Sequence, residues 1–276
     1  MEKEKWLIIH IDDIGMSYAA NKAAINLFKK GIATSGSIMM PCPWAHDFIK
    51  WHNKNPQYDV GIHLTHTSEW DVCRWRPVSD AKDVPDLLDE DGFMWKGFDN
   101  ELSSVPCSQV EHEIYAQINL AKKWGLRFTH IDSHMWVVAS NPSFLKVYLE
   151  AASKYNIVPN ISKDMLWDEE RREIYRGSGF PLVTGKISSG EGEDLETKKQ
   201  DFIKKAKEIK PGLNVLTIHP VIETPEIKEI IPTWHKRYLE YLLFMDDEVR
   251  QVLDDLGIRR IGWEDVKKLG IKEDFS

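Results

Sequence analysis

WLIIHIDD, residues 6–13, opens as a short apolar run from Trp6 to His10 and ends in two adjacent aspartates. An apolar run this short, halted by polar residues, reads as a buried strand. Ala19 to Lys30 then repeats apolar residues at helical spacing and is closed by Gly31, the residue that best tolerates the turn after a helix. Thr34 to Met40 is again strand-like and stops before Pro41. Strand, helix and strand in close succession form a β-α-β unit, whose strands are expected to lie parallel in one sheet.

The alternation continues outward. An amphipathic stretch from Trp44 to Asn53, ended by Pro56, precedes a strand-like Asp59 to Leu64. From Thr65 to Pro106 the periodicity fails, with Pro77, Pro85 and the turn-forming Asp91 and Gly92, so residues 65–106 read as an irregular insertion. Insertions of that length in a compact domain usually serve function. A helix is expected from Ser108, with Glu111 as its reciprocal capping partner, to Gly125, followed by a strand from Phe128 to Asp132. Asn141 and Pro142 open another helix as cap and first-turn residue, and Ile157 to Ile161 reads as a strand. Lys163 to Gly192 has no clear reading. Thr197 to Lys210 has the pattern of a basic amphipathic helix, and Asn214 to His219 that of a strand stopped by Pro220. A helix around Asp247 to Leu256, a strand at Arg259 to Ile261 and a short helix close the chain. About seven strands thus alternate with helices, and no shift in composition marks a linker. Residues 1–276 read as a single α/β domain of barrel type, although a doubly wound open sheet gives much the same pattern.

Composition narrows the function. With 42% hydrophobic and 29% charged residues the chain can bury a sizeable core, and 36 basic against 44 acidic residues leave a net charge of -8. That balance lacks the cationic surface a phosphate backbone requires, so nucleic acid is not expected as a partner. Cys42, Cys73 and Cys107 are odd in number and lack CxxC spacing, which suits reduced, structural thiols in a cytoplasmic protein. The apolar residues before Asp12 are too few for a secretory signal, and no run reaches the roughly 18 apolar residues of a membrane span. A soluble small molecule met in the cytoplasm is the expected substrate; nothing in the sequence supports or opposes a homo-oligomer.

Four of the strands end in residues that a buried strand disfavours: Asp12 and Asp13 after the first, His63 in DVGIHL, His130, Asp132 and His134 in FTHIDSH, and His219 in VLTIHP. Singly, each has an ordinary explanation, a turn-forming aspartate or a hydrogen-bonded histidine. Together they require another, because parallel α/β folds gather the carboxyl ends of their strands on one face, and clustered ionisable groups are costly to bury unless a metal or substrate compensates them. Two imidazoles and one carboxylate form a three-ligand set with coordination positions left for water and substrate. A further carboxylate can then take a proton from that water, and a further histidine can protonate a leaving nitrogen. The same set also matches the facial triad of a non-haem iron oxygenase, or a binding protein that holds metal and sugar without turnover.

HIDDIGMS (10–17), GIATSGSIMM (31–40), VGIHLTHT (60–67), THIDSH (129–134) and IHP (218–220), taken in order, resemble the YdjC-like carbohydrate deacetylases of the polysaccharide deacetylase superfamily. The resemblance implies a seven-stranded (β/α) barrel and the removal of an N-acetyl group, with release of acetate, from a small amino sugar or chitooligosaccharide such as diacetylchitobiose. It implies Asp12 as general base, Asp13, His63 and His134 as ligands of one divalent metal ion, and His219 as general acid. Zinc is the first expectation from the nitrogen ligands; iron, cobalt and nickel suit the same set, and family members are seen with magnesium. Asp132 is expected to orient a histidine by hydrogen bonding. Thr65, Trp136 and Arg76 are candidates for substrate contact, and the tryptophans of the insertion mostly for packing. His130 is read as facing away from Asp132. The chain departs from the family pattern at His10, Ile11 and Ile14, where Asn or Ala near the aspartate pair and Phe before Gly are usual, and in the apolar residues after His134.

Overall fold

The computed structural model describes residues 4–97, 102 and 104–271. Its strands are β1 (Lys5–Ile14), β2 (Ser35–Ile38), β3 (Val60–Leu64), β4 (His130–Ser133), β5 (Val158–Pro159), β6 (Gly185–Ile187), β7 (Gly212–Ile218) and β8 (Ile258–Arg260). Seven of them follow the order β5-β4-β3-β2-β1-β7-β6, every pair parallel, while β8 pairs with the first three residues of β1. The path curls on itself. Ser162, beyond β5, makes a parallel bridge to Val183, ahead of β6, so the two ends of the sheet face each other. This is the α/β barrel-type arrangement that the alternation of elements implies.

Side-chain parity sorts the sheet into two faces. Leu7, Ile9 and Ile11 are buried with Leu27, Phe48, Ile114 and Phe244 of the surrounding helices in the principal core. Ile8 points the other way and packs with Val158, Leu213, Val215 and Trp263, which form an apolar floor inside the curl. Above that floor the interior turns polar: His10, Ser35, Ser37, His63, His130 and Asp132 are all buried there. Gly61 makes room for this layer, since a Cβ at that position would lie 2.4 Å from the His130 ring.

Several elements differ from the sequence reading. The count of seven strands holds along the path, but with different members: β6 lies in the segment that gave no reading, and the late strand β8 stands off the path. The helices Glu169–Arg176, Pro225–Ile230 and Trp234–Met245 were not anticipated. The cap expected from Ser108 and Glu111 does not form; that helix spans Cys107–Lys123 behind Pro106, with no side-chain cap. The basic helix runs Leu195–Ala206, capped by the Asp194 side chain. In the insertion, a 3₁₀ turn at Pro85–Leu87 and a bridge between Leu88 and Met94 give local order. The part of the insertion comprising residues 98–101 and 103 lies outside the described residues. Cys42, Cys73 and Cys107 are free thiols. Among the described residues, no helix is long and apolar enough to cross a membrane.

Candidate active site

Two adjacent residues of a regular strand point to opposite faces, yet Asp12 and Asp13 both reach the same site. A bulge makes this so. The β1–β2 register advances from Ile11↔Gly36 to Ile14↔Ile38, three residues against two, and Asp13 takes φ 60, the left-handed region that non-glycine residues seldom adopt. Gly15, at φ 94, completes the turn. His63 arrives from β3, beside its register partner Asp132 on β4. His134 follows β4 directly, where Met135 and Trp136 (φ 52 and 56) bend the chain away, and His219 follows β7.

These residues meet. Asp13 Oδ1, His63 Nε2 and His134 Nδ1 form a triangle with sides of 3.6, 3.4 and 3.2 Å. Two donors at about 2.1 Å from one tetrahedral ion stand roughly 3.4 Å apart, so the triangle has the dimensions of a shared cation site. All three residues are buried, and Asp13 Oδ1 has no hydrogen-bond donor. His10, Asp12 and Asp132 also lie close together, but His10 Nε2 stands 2.7 Å from Asp132 Oδ2. That is a hydrogen-bond separation, so these two groups satisfy each other without an ion.

Each member of the triangle has a partner behind it. Asp132 Oδ1 accepts from His63 Nδ1 at 2.8 Å, which leaves Nε2 free to point at the triangle. Glu69 Oε2, from the insertion, is 2.9 Å from His134 Nε2. Arg237, from the helix Trp234–Met245, donates to Asp13 Oδ2 at 2.6 Å. Glu240 of the same helix accepts from the His219 backbone N–H at 2.8 Å and from the Ser189 hydroxyl. Asp12 stands beside the triangle, its Oδ2 3.8 Å from His63 Nε2 and 3.6 Å from His219 Nε2. Its Oδ1 is buried without a hydrogen-bond donor, although His10 Nε2 lies 3.3 Å away.

The electrostatics report an excess of buried negative charge. Burial opposes charging His63, but Asp132, Asp12 and Asp13 outweigh it and hold its pKa well above 6.5. His134 is likewise pushed up to about 9, with Glu69 and Asp13 overcoming the cost of burial. Burial would raise the carboxyl pKa of Asp13, yet Arg237 and the two histidines hold it well below the usual range. Asp132 is held down in the same way by His63 and His10. Asp12 behaves differently, because burial, reinforced by Asp132, raises its proton affinity despite His63 and His10. Protonated imidazoles facing several carboxylates mark a place where a dication would replace protons, since metal binding releases them. The donor set therefore fits a divalent metal.

The candidates for substrate contact divide. Trp136 is half-exposed and lines a cavity of 40 Å³ together with Asp12, Asp132, Ser133, Met165 and Lys186. One face of its ring is covered by Lys186 Nζ, 3.1 Å from the centroid. Thr65 has no accessible surface, and its hydroxyl donates to His63 O. Arg76 is exposed and lies over Phe93, so the structure does not bring it to the cluster. Trp75 and Trp95 donate their indole N–H groups to loop carbonyls, consistent with a packing role for the insertion's tryptophans. His130 corrects the sequence reading. Residues two apart on a strand share a face, and its ring lies 5.1 Å from that of His10, inside the curl with Asp132.

Residues 6–255 match the YdjC-like protein family. A carbohydrate deacetylase of Thermus thermophilus is 32% identical over 255 residues, covering 90% of this chain and 89% of the relative. Another, from Thermoanaerobacter pseudethanolicus, is 28% identical over 254 residues, covering 92% and 96%. A crystal structure from Enterococcus faecalis, described as a candidate cellobiose-phosphate cleavage protein, superposes with a TM-score of 0.80 over 95% of this chain and 99% of its own, at 24% identity, a likeness that concerns the fold alone. The buried aspartate and histidine cluster thus sits in a chain that belongs to the YdjC-like family, among curated relatives that are carbohydrate deacetylases.

Proposed function

We propose that this chain is a metal-dependent carbohydrate N-deacetylase that hydrolyses the acetamide of a small acetylated amino sugar or chitooligosaccharide. The triangle of Asp13 Oδ1, His63 Nε2 and His134 Nδ1, with Asp12 beside it and its buried Oδ1 without a hydrogen-bond donor, is the observation that carries the reading. Asp13, His63 and His134 would hold the cation, with zinc the first choice for two nitrogen donors. When bound, it supplies Lewis acidity for the acetyl carbonyl and for water. Asp12 accepts the proton of the attacking water, a task suited by its raised proton affinity. His219, at the exposed edge of the cluster, donates a proton to the departing nitrogen, giving acetate and a free amine. Glu240 fixes the backbone of His219, and Arg237 keeps Asp13 ionised. Trp136, half-exposed beside Asp12, is the side chain kept for contact with the sugar, whereas Thr65 and Arg76 receive no support from their positions. A binding protein or an iron oxygenase would leave Asp12 and His219 without a purpose.

The test offers acetylated mono- and disaccharides to zinc-loaded protein and measures acetate. Asp12→Asn should keep its zinc and lose turnover by about 100-fold or more. Near-normal acetate release by that variant would remove Asp12 from the mechanism, and no release by the unaltered protein from any acetylated sugar would remove the activity itself.

A further inference from the structure

The proposed chemistry gives His10 no role. It is fully buried inside the curl. Its Nε2 lies 2.7 Å from Asp132 Oδ2 and 3.1 Å from the Ser37 hydroxyl, and Ser37 itself donates to the same carboxylate oxygen at 2.9 Å. The other oxygen of Asp132 holds His63. On the far side of the ring, Nδ1 faces the Ser35 hydroxyl at 3.1 Å and the Trp263 indole nitrogen at 3.4 Å. Indole N–H can only donate, so Nδ1 accepts and the ring proton belongs on Nε2, directed at Asp132. The Nδ1 side of this array is anchored in the fold, for Trp263 belongs to the apolar floor and His10 is the register partner of Ser35.

We infer that His10 is a positioning residue for the metal site: its Nε2–H fixes the rotation of Asp132, and Asp132 in turn holds His63 with Nε2 aimed at the cation position. An aspartate held only by His63 and Ser37 could turn about its χ2 bond, because that torsion is broad and roughly two-fold. His63 would then lose the partner that sets its tautomer, and the site would bind metal less well. The edge of His10 also lies 3.3 Å from Asp12 Oδ1, so the same ring separates the proposed base from the orienting carboxylate. This role rests on the deacetylase reading only for the meaning of the metal, and it is tested without substrate.

The experiment measures zinc affinity by chelator competition in wild type, His10→Phe and His10→Gln, alongside the thermal midpoint of each. Loss of a hydrogen-bonding partner behind a ligand costs about 10- to 100-fold in metal affinity, and His10 acts one bond further back, so His10→Phe should bind zinc about tenfold more weakly. Gln places an amide N–H near the Nε2 position and should recover most of that affinity. A residue that only fills the interior would lower the midpoint in His10→Phe and leave zinc affinity unchanged, which would overturn the inference. Should His10→Phe fail to fold, ¹⁵N-detected imidazole spectra of the unaltered protein decide the matter. A proton on His10 Nε2 supports the role, and a bare Nε2 overturns it. Acetate release by the unaltered protein is scored separately, so failure of the deacetylase reading is distinguishable from failure of this one.

Discussion

The strands and the segments outside them contribute to the site in different ways. β1, β3 and β4 supply the donors: His63 and Asp132 as register partners, Asp12 and Asp13 from the bulge in β1, and His134 from the turn that follows β4. The insertion and the helix Trp234–Met245 reach in with Glu69, Arg237 and Glu240, each touching the cluster through a single side chain. His63 is the strand case. Its register partner is also its hydrogen-bond partner, so the sheet that places His63 also orients it. His134 is the opposite case, held by a glutamate on a loop that sheet hydrogen bonds do not anchor. The difference teaches that sheet geometry aims the donors, while the outer segments adjust their charge.

If that division is correct, the largest loss should come from a strand donor. His63→Ala removes one corner of the triangle, and both zinc content and acetate release should fall, the latter by about 1,000-fold or more. Full zinc occupancy in this variant, measured by elemental analysis, would place the cation elsewhere. Next comes Asp132→Asn, which preserves shape but replaces the carboxylate that His63 Nδ1–H meets at 2.8 Å. Zinc affinity should drop by about 10- to 100-fold while the fold persists, read by chelator competition. An unchanged affinity would mean that register alone aims His63.

The same division decides what the sequence could reveal. The polar ends of apolar runs at Asp12, Asp13, His63, His134 and His219 stand out because buried strands disfavour charge, so the strand-borne donors were legible. Asp132 was legible for the same reason. Glu69, Arg237 and Glu240 were not. A glutamate or arginine in a loop or on an amphipathic helix matches the ordinary solvated pattern, and only the folded path brings Arg237 across 224 residues to Asp13. The clue for Asp13 lay in adjacency, but the bulge that turns both neighbouring aspartates to one site is not displayed by a sequence. β6 escaped because three residues in a turn-rich segment carry no periodicity, and β8 was read as part of the path because pairing partners are not written into a short apolar run. His130 shows an error of parity rather than of missing signal: an even spacing on a strand puts it inside with Asp132.

The insertion's own anchorage gives the next largest effect. His66, two residues past β3, is fully buried, and burial pushes its pKa down from 6.5 to about 4. A histidine with a depressed folded pKa leaves stability intact above pH 6.5, and costs stability as the pH falls, because the unfolded chain takes up the proton first. At pH 5 the loss attributable to this residue should be about 2 kcal/mol. His66→Leu should therefore lose less stability than wild type between pH 7 and pH 5, by about that amount, in denaturant titrations. Equal losses in the two proteins would show that His66 is not the group that titrates.

The smallest effect is expected where a loop carboxylate meets a ligand. Glu69 lies 2.9 Å from His134 Nε2 and its side chain is 17% exposed, against 5% for Asp132, so solvent can replace part of what it contributes. It is also the leading charge behind the raised proton affinity of His134, ahead of Asp13. Glu69→Gln keeps an acceptor for the imidazole N–H and removes the charge, so two consequences oppose each other. His134 gives up its proton more readily to an incoming cation, but as a weaker donor it binds that cation less firmly. The net change in zinc affinity at neutral pH should be several-fold at most, below that of Asp132→Asn, because water stands in for a partly exposed partner. Chelator competition on the two variants side by side measures the ordering. A larger loss in Glu69→Gln than in Asp132→Asn would mean that the insertion, and not the sheet, holds the decisive ligand.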